Sequence, residues 1–301
     1  MEILINGISR GAIYALVALG YTMVYGILGM INFAHGEIFM VGMFAAVYAI
    51  GALSSLWGPH LALNLGLGMV FASLLAAAFG YANERLAYRH LRHSHMLAPL
   101  TSAIGLSMVL QNFIMLSVSK DKINFPSFYS AQLHTTHFFL WGAKISLIQI
   151  TMLGTAVFLM ALLFYLIHRT SLGLAMRATS QDRMMAALVG ISPNRVIAST
   201  FILGSALAAV AGMILAMYQG QMRFDNGYVM GIKAFTAAIL GGIGNIPGAV
   251  IGGLIIGLTE DLTSTSELGS DWKNGTTFAI LMAVLILRPR GLFGERVADK
   301  V

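Results

Sequence analysis

The chain contains no cysteine, which excludes disulfides, thiolate metal sites and a cysteine nucleophile. It is also poor in charge. Asp, Glu, Lys and Arg make up 10% of the 301 residues, against about 25% in a soluble globular domain, so the chain is not built to face water all round. No G-x-x-x-x-G-K-[ST] sequence occurs, and the chain therefore does not cradle nucleotide phosphates by that loop. His35 and Glu37 stand two apart instead of in H-E-x-x-H, which removes the zinc-protease geometry. His90, His93 and His95 are a second possible metal set, but a basic cytoplasmic loop rim explains them better. Ser205 follows Gly204 within an apolar run without a recognisable base, which reads as packing. The expectation is a non-enzyme with no cofactor and no metal.

Hydrophobic residues are plentiful, at 57% of the chain with a mean hydropathy of +0.79. Apolar stretches of about 20 residues recur, the length that crosses a hydrocarbon core of roughly 30 Å as a helix. Their continuous apolarity excludes an outer-membrane barrel, which alternates with period two. The expected fold is an all-α polytopic membrane protein of about eight or nine helical segments, forming one transmembrane domain over 1–301. Candidate spans are 8–31, 37–56, 61–81, 97–118, 146–167, 196–218 and 275–288, with an interrupted segment over 230–262. The first apolar run is too long for a signal-peptide h-region, so no signal peptide is expected.

A net charge of +6 and a pI near 9.7 invite a nucleic-acid reading. The basic residues are scattered along loops, however, and the excess of Lys and Arg on cytoplasmic loops explains them better. Loop 83–95 carries Arg85, Arg89 and Arg92, loop 168–195 carries Arg169, Arg177, Arg183 and Arg195, and the tail carries Arg288, Arg290, Arg296 and Lys300. The opposite loops are assigned Lys120, Lys122, Lys144, Arg223, Lys233 and Lys273. This asymmetry places 83–95, 168–195 and the C-terminal tail in the cytoplasm.

Since 168–195 and the tail share a side, an even number of crossings must separate them. Spans 196–218 and 275–288 supply two, so 230–262 goes in and comes back, or crosses twice. Arms of about eleven residues on either side of "GGIGNIPG" (241–248) reach half a bilayer each, which predicts a broken half-helix pair meeting near mid-depth. Broken backbone inside a membrane must be satisfied by protein or a watery cavity, and paired interrupted helices point to a transport pathway. Gly241, Gly242, Gly244, Asn245 and Pro247 are therefore candidate pathway or hinge residues. Close helix packing through small residues is the competing account, and the one that fits Gly252, Gly253 and Gly257.

A second break is expected in "INFAHGEIFMVG" (31–42), where Asn32, His35, Gly36 and Glu37 interrupt apolar sequence. One account is a turn in which Asn32 caps the next helix, Gly36 relieves the backbone and Glu37 complements the helix dipole. The other has these four residues lining or gating a pathway. The two accounts are compatible, and His35 is expected to contribute less than Asn32 and Glu37.

In loop 168–195, Thr179, Ser180, Gln181 and Asp182 fit a capping box before a short helix that stops at Gly190, with Pro193 beyond. Met185, Leu188 and Val189 give that helix an apolar side, with Arg177 and Arg183 beside it. Such a helix docks in a partner's groove or lies on lipid headgroups.

Four stretches of the chain, "GYTMVYGILGMINFAHGEIFMVG", "SAIGLSMVLQN", "LGLAMRATSQDRMMAALVGI" and "KAFTAAILGGIGNIPGAVIGGLIIG", resemble in order the bacterial permeases of branched-chain amino-acid ABC transporters. The resemblance covers nearly the whole chain. It departs at "YRHLR" (88–92), where relatives commonly have proline in place of His90. It implies an inner-membrane subunit of an ATP-driven importer of leucine, isoleucine and valine. The implied partners are a second, LivM-like permease subunit, two cytoplasmic ATP-binding subunits, a periplasmic amino-acid-binding protein and the lipid bilayer, with no nucleic acid. It also implies that 168–195 is the ATPase-coupling loop, with Arg177, Thr179, Asp182, Arg183, Leu188 and Gly190 in that role. A permease for urea, short amides or another small solute is the alternative within the class. An ion-coupled secondary transporter would rest on Glu37 as the one acid inside the expected core.

Overall fold

The structure, a computed structural model, describes residues 2–92, 94–95, 97–140, 143–267 and 269–294. His93, Arg296 and Lys300 lie outside the described residues. The helices are α1 (Glu2–Leu28), α2 (His35–Trp57), α3 (Leu61–Asn83), α4 (Arg89–Leu91), α5 (Leu97–Ser117), α6 (Ser127–Thr135) and α7 (Leu147–Arg169). They continue with α8 (Ser171–Gln181), α9 (Arg183–Leu188), α10 (Pro193–Gln219), α11 (Asn226–Gly241), α12 (Ile246–Thr265) and α13 (Lys273–Leu287). Among the described residues, seven helical stretches are long and apolar enough to cross a membrane: α1, α2, α3 extended to Leu91, α5, α7, α10 and α12. The chain is a multi-pass membrane protein.

Burial sorts these helices into a centre and a rim. Helices α1 and α10 are buried along most of their length, and α2 along its first half, whereas α3, α5 and α7 turn large apolar side chains outward. In lipid no hydrophobic drive pulls apolar helices together, so close packing of small residues must do so. The α1–α12 seam is built that way. A Cβ on Gly11 would come within 2.7 Å of Leu254 Cα, and one on Gly253 within 2.6 Å of Ala15 Cα. Of the glycines expected to serve packing, Gly253 and Gly257 lie at this seam, and Gly252 packs against α11 at Ala237 and Gly241. On the other side α10 seats Ala209 against Gly42 and Ser205 against Gly80, so Ser205 packs as expected.

Contacts between chain segments define the two ends of the bundle. At one end Arg92 donates to Asn194 Oδ1 at 2.6 Å, and Arg183 donates to the carbonyls of Ile27 and Leu28. This end gathers 84–92, 169–195 and the C-terminal end of α1, and is the basic end. At the other end the strand β1 (Ile123–Asn124) pairs with β4 (Gln221–Met222), and Asn64 on α3 donates to Tyr129 on α6 at 2.7 Å. A hairpin of β2 (His137–Leu140) and β3 (Ala143–Ser146) precedes α7 there.

Three expectations are corrected. The hairpin over 230–262 is present, but its arms are sixteen and twenty residues long rather than eleven. Its turn meets the far end of α1, where a Cβ on Gly26 would lie 3.6 Å from Gly244 Cα, so the break lies at the basic end and not at mid-depth. The mid-depth estimate failed because α11 begins at Asn226, before the apolar run, and α12 continues through Glu260 and Asp261 to Thr265. Second, 83–95 is not all loop. A π-helical turn at Glu84–Tyr88 continues α3 and leads into α4. Third, Lys233 belongs to α11 and pairs with the buried Glu260 instead of sitting in a loop.

Candidate functional site

After Leu28 the chain turns at Gly29 (φ +66°) and runs without helix to Ala34. Helix α2 then begins at His35, whose ring lies against Gly20 and stacks edge-on to Tyr21 at 4.8 Å. Gly20 is eight residues back from the end of α1, about 12 Å at 1.5 Å per residue. The first turn of α2 therefore starts inside the bundle, and the expected second break is an interruption between helices within the bundle.

Backbone groups at that depth need partners, and a side chain from the turn after α3 and the segment's own backbone supply them. Tyr88 donates to the Ile31 carbonyl at 3.2 Å, and the His35 N–H donates to the Asn32 carbonyl at 3.1 Å. Asn32 does not cap α2. The N-cap is Ala34, with no side-chain hydrogen bond, and Asn32 Oδ1 accepts from Tyr88 Oη at 3.2 Å and Asn83 Nδ2 at 3.4 Å. Asn32 thus pins the broken segment to α3 and its π-turn. An isolated cap signal in the sequence was overridden by a cross-helix polar contact.

His35 is fully buried where α1, α2 and α10 meet, filling the space left by Gly20 and Gly204. It is a wedge at a three-helix crossing, a larger structural part than the sequence suggested. Gly36 lies against α11, where an added Cβ would come within 2.7 Å of Gly231 Cα and closer still to the Gly227 carbonyl. Glu37 stands in the first turn of α2, as expected for its dipole role. Its Oε1 accepts from Ser107 on α5 at 3.2 Å, while Oε2 faces Gly227 without a hydrogen-bond partner.

Glu37 is not the only acid inside the bundle. Glu84, Glu260 and Asp261 are buried as well. Glu84 pairs with Arg89 and Arg92, Glu260 with Lys233 and the Tyr14 hydroxyl, and Asp261 with Arg10 at 3.1 Å. Those three each have a cation; among the described residues Glu37 has none. The sequence signal for the pairs was charge of both signs within apolar helices, which loop assignment concealed.

The 241–248 break is a turn held by its own side chains. Gly242 and Gly244 take φ of +102° and +97°, Asn245 caps α12 by accepting from Gly248 N–H at 2.8 Å, and Pro247 stands in the first turn. Asn245 Nδ2 also donates to the Phe293 carbonyl, and Gly241 packs on Gly248. Helix α11 thus runs as a strut of sixteen residues, about 24 Å, from the 32–37 break at one end to the 241–248 break at the other.

In the loop after α7, the capping box begun by Thr179 does not form. Thr179 donates to the Ala175 carbonyl inside α8, and Asp182 is itself the cap of α9, accepting from Met184 and Met185 N–H. Gly190 (φ +87°) ends the turn after α9. Arg177 bonds the Ile167 carbonyl of α7, and Arg183 those of Ile27 and Leu28, so both basic residues are tied to ends of membrane helices. The side chains of Met184, Met185, Leu188 and Val189 are 60–76% exposed. Arg177 and Gly244 line one cavity of about 110 Å³ with Gly26 and Ile27, which brings two of the predicted groups together. Residues 32–37 stand apart from it. Among the described residues no group of three or more His, Asp or Glu could hold a metal ion.

A family model described as the permease component of the branched-chain amino acid transport system matches residues 3–286. The chain is 42% identical over 301 residues to the high-affinity branched-chain amino acid transport permease LivH of Escherichia coli (strain K12), covering all of the chain and 97% of that protein. It is equally similar, at 42%, to BraD of Pseudomonas aeruginosa, over the whole chain and 98% of that relative. A probable LivH of Methanocaldococcus jannaschii is 30% identical over 97% of the chain and 92% of its own length.

Proposed function

Because the chain belongs to the family of branched-chain amino acid transport permeases, we propose that it is a membrane-spanning subunit of an ATP-driven importer carrying leucine, isoleucine and valine across the bacterial inner membrane. One observation carries this reading: the likeness is uninterrupted over the full length, to relatives named for that transport. A second, LivM-like permease subunit, two cytoplasmic ATP-binding subunits and a periplasmic binding protein complete the assembly. The outward apolar faces of α3, α5 and α7 suit contact with lipid and with the second permease.

The chain has no nucleotide-binding loop of its own, so force must reach it from a partner. Helix α9 supports the role of receiver. Its cap at Asp182 fixes its start, Gly190 fixes its end, and its apolar side faces outward (Leu188 is 76% exposed), as a helix that docks in a groove requires. Arg183, the first residue of α9, grips the last carbonyls of α1. A displacement of α9 is thereby passed to the end of α1, the helix on which His35 and the 32–37 break rest.

The test is uptake in proteoliposomes holding the complete assembly. Leucine accumulation should require both ATP and the loaded binding protein, and accumulation driven by an ion gradient without ATP would refute the importer reading. Within that assay, Asp182→Ala combined with Gly190→Leu should leave membrane insertion intact, let ATP hydrolysis continue and stop transport. Full transport by the double variant would remove α9 from the coupling role.

A further inference from the structure

A cavity of about 320 Å³ opens at the end of the bundle opposite α9, beside the N-terminal half of α11, near the lower end of the range for small-molecule sites. Asn226, Val229, Met230 and Lys233 line it at helical spacings of three, four and seven, so one face of α11 forms a wall. Two kinds of chemistry share the space. Leu215, Met222, Val229 and Met230 supply an apolar side, and the negative charge of Asp225 stands there with the positive charges of Lys122, Arg223 and Lys233.

Asp225 and Lys233 do not pair with each other: Asp225 has Arg223 as its partner and Lys233 has Glu260. Lys233 pairs with Glu260, whose other oxygen accepts from Tyr14. An ammonium has three donors, and this pairing orients it at the cavity wall while leaving donors unused. Asp225 pairs with Arg223 at 3.3 Å, but the two side chains are 38% and 43% exposed. An ion pair that open contributes little and exchanges readily for another cation. Asp225 also makes no capping bond to the first turn of α11, so its carboxylate is not committed to the helix.

We propose that this cavity receives a free α-amino acid as its zwitterion. The α-carboxylate lies on the Lys233 ammonium, the α-ammonium on Asp225, and the aliphatic side chain against Leu215, Met222, Val229 and Met230. Met230 and Lys233, which line the cavity, lie within one turn along α11 of Gly227 and Gly231, where the helix closes on Gly36, so the cavity and the 32–37 break share this helix. The assignment rests on the importer reading for its substrate and adds where that substrate's charged groups are met.

The absence of cysteine makes a direct test possible. In the complete assembly, Val229→Cys places a single thiol of this chain in the cavity wall, and Ser266→Cys places one outside it as a control. Modification by an impermeant thiol reagent is timed with leucine, with 4-methylpentanoate (no ammonium) and with 3-methylbutylamine (no carboxylate), in the absence of binding protein. Leucine should slow labelling of V229C and neither analogue should, while S266C reacts at one rate throughout. Adding Asp225→Asn should raise the leucine concentration for half-protection by at least about tenfold, the loss expected for one charge-assisted contact. Equal protection by all three compounds, no protection by leucine, or an unchanged half-protection value in D225N would each overturn the site. ATP-driven leucine uptake by the unaltered chain, with binding protein added, is measured alongside: if uptake is absent the importer reading fails, and if it is present while leucine gives no protection only the cavity assignment fails.

Discussion

Gly36 on α2 and Gly231 on α11 meet backbone to backbone, so that a Cβ on Gly36 would come within 2.7 Å of Gly231 Cα. Neither partner is a flexible side-chain end, and the contact cannot relax by a rotamer change. Overpacking an ordinary core costs roughly 1–3 kcal/mol; here the added side chain must also push α2 and α11 apart at the interruption of the membrane segment. Gly36→Val should therefore abolish uptake in a complex that still assembles, and Gly36→Ala should reduce it strongly. Normal transport by Gly36→Val would show that the contact is incidental to function.

Arg183 carries the second prediction. Its guanidinium gives two hydrogen bonds of 2.8 Å to the carbonyls of Ile27 and Leu28, groups left without intrahelical partners where α1 ends. Both bonds come from the one Nη2 nitrogen, and lysine keeps the charge but on a differently shaped, freely rotating ammonium. If this grip transmits motion, Arg183→Lys should hydrolyse ATP in the assembled complex yet transport far less per ATP than the unaltered chain. A preserved ratio of transport to hydrolysis in both Arg183→Lys and Arg183→Ala would mean that Arg183 only caps α1.

Much of the fold was legible because apolar run length reports directly on membrane spans, and the hairpin over 230–262 followed from side-counting alone. Its depth was not legible. Where α11 begins is decided by Gly227 and Gly231 meeting Gly36, a contact between residues nearly two hundred positions apart. The 32–37 stretch stood out because Asn, His and Glu are costly in hydrocarbon, which marked the place correctly. The roles within it depended on neighbours the local pattern does not contain. Asn32 was drawn to Tyr88 and Asn83 and gave up the cap, and His35 found two glycines that leave room for a ring. The same limit hid Lys233, Glu260 and Tyr14, which are meaningful only once α1, α11 and α12 are side by side.

Topology supplies the third prediction. Ser266 follows α12 at the end of the bundle where Arg10 meets Asp261, and Ser192 precedes α10 at the basic end; both are exposed. With the basic end in the cytoplasm, Ser266→Cys should react with an impermeant thiol reagent in intact cells, and Ser192→Cys only after permeabilisation. Equal reaction of both from outside would break the assignment of sides.

The last prediction concerns Glu37. Its carboxylate sits in the first turn of α2 and against Gly227 in the first turn of α11, where two helix dipoles favour negative charge by about 0.3–1 kcal/mol each. Every other acid buried in the described bundle has a cation beside it, so this one is the natural place to look for ion coupling. Glu37→Gln separates the two roles, because the amide keeps the shape and an oxygen for Ser107 but neither titrates nor carries charge. If the carboxylate holds the break, Glu37→Gln should lose a little thermal stability and keep most ATP-driven leucine uptake, while Gly36→Val loses it. The opposite pattern, with Glu37→Gln inactive in a well-assembled complex and Gly36→Val silent, would make the carboxylate chemical. Uptake would then have to be re-examined as ion-coupled, with a proton or cation at Glu37 taking the place of the force delivered through α9.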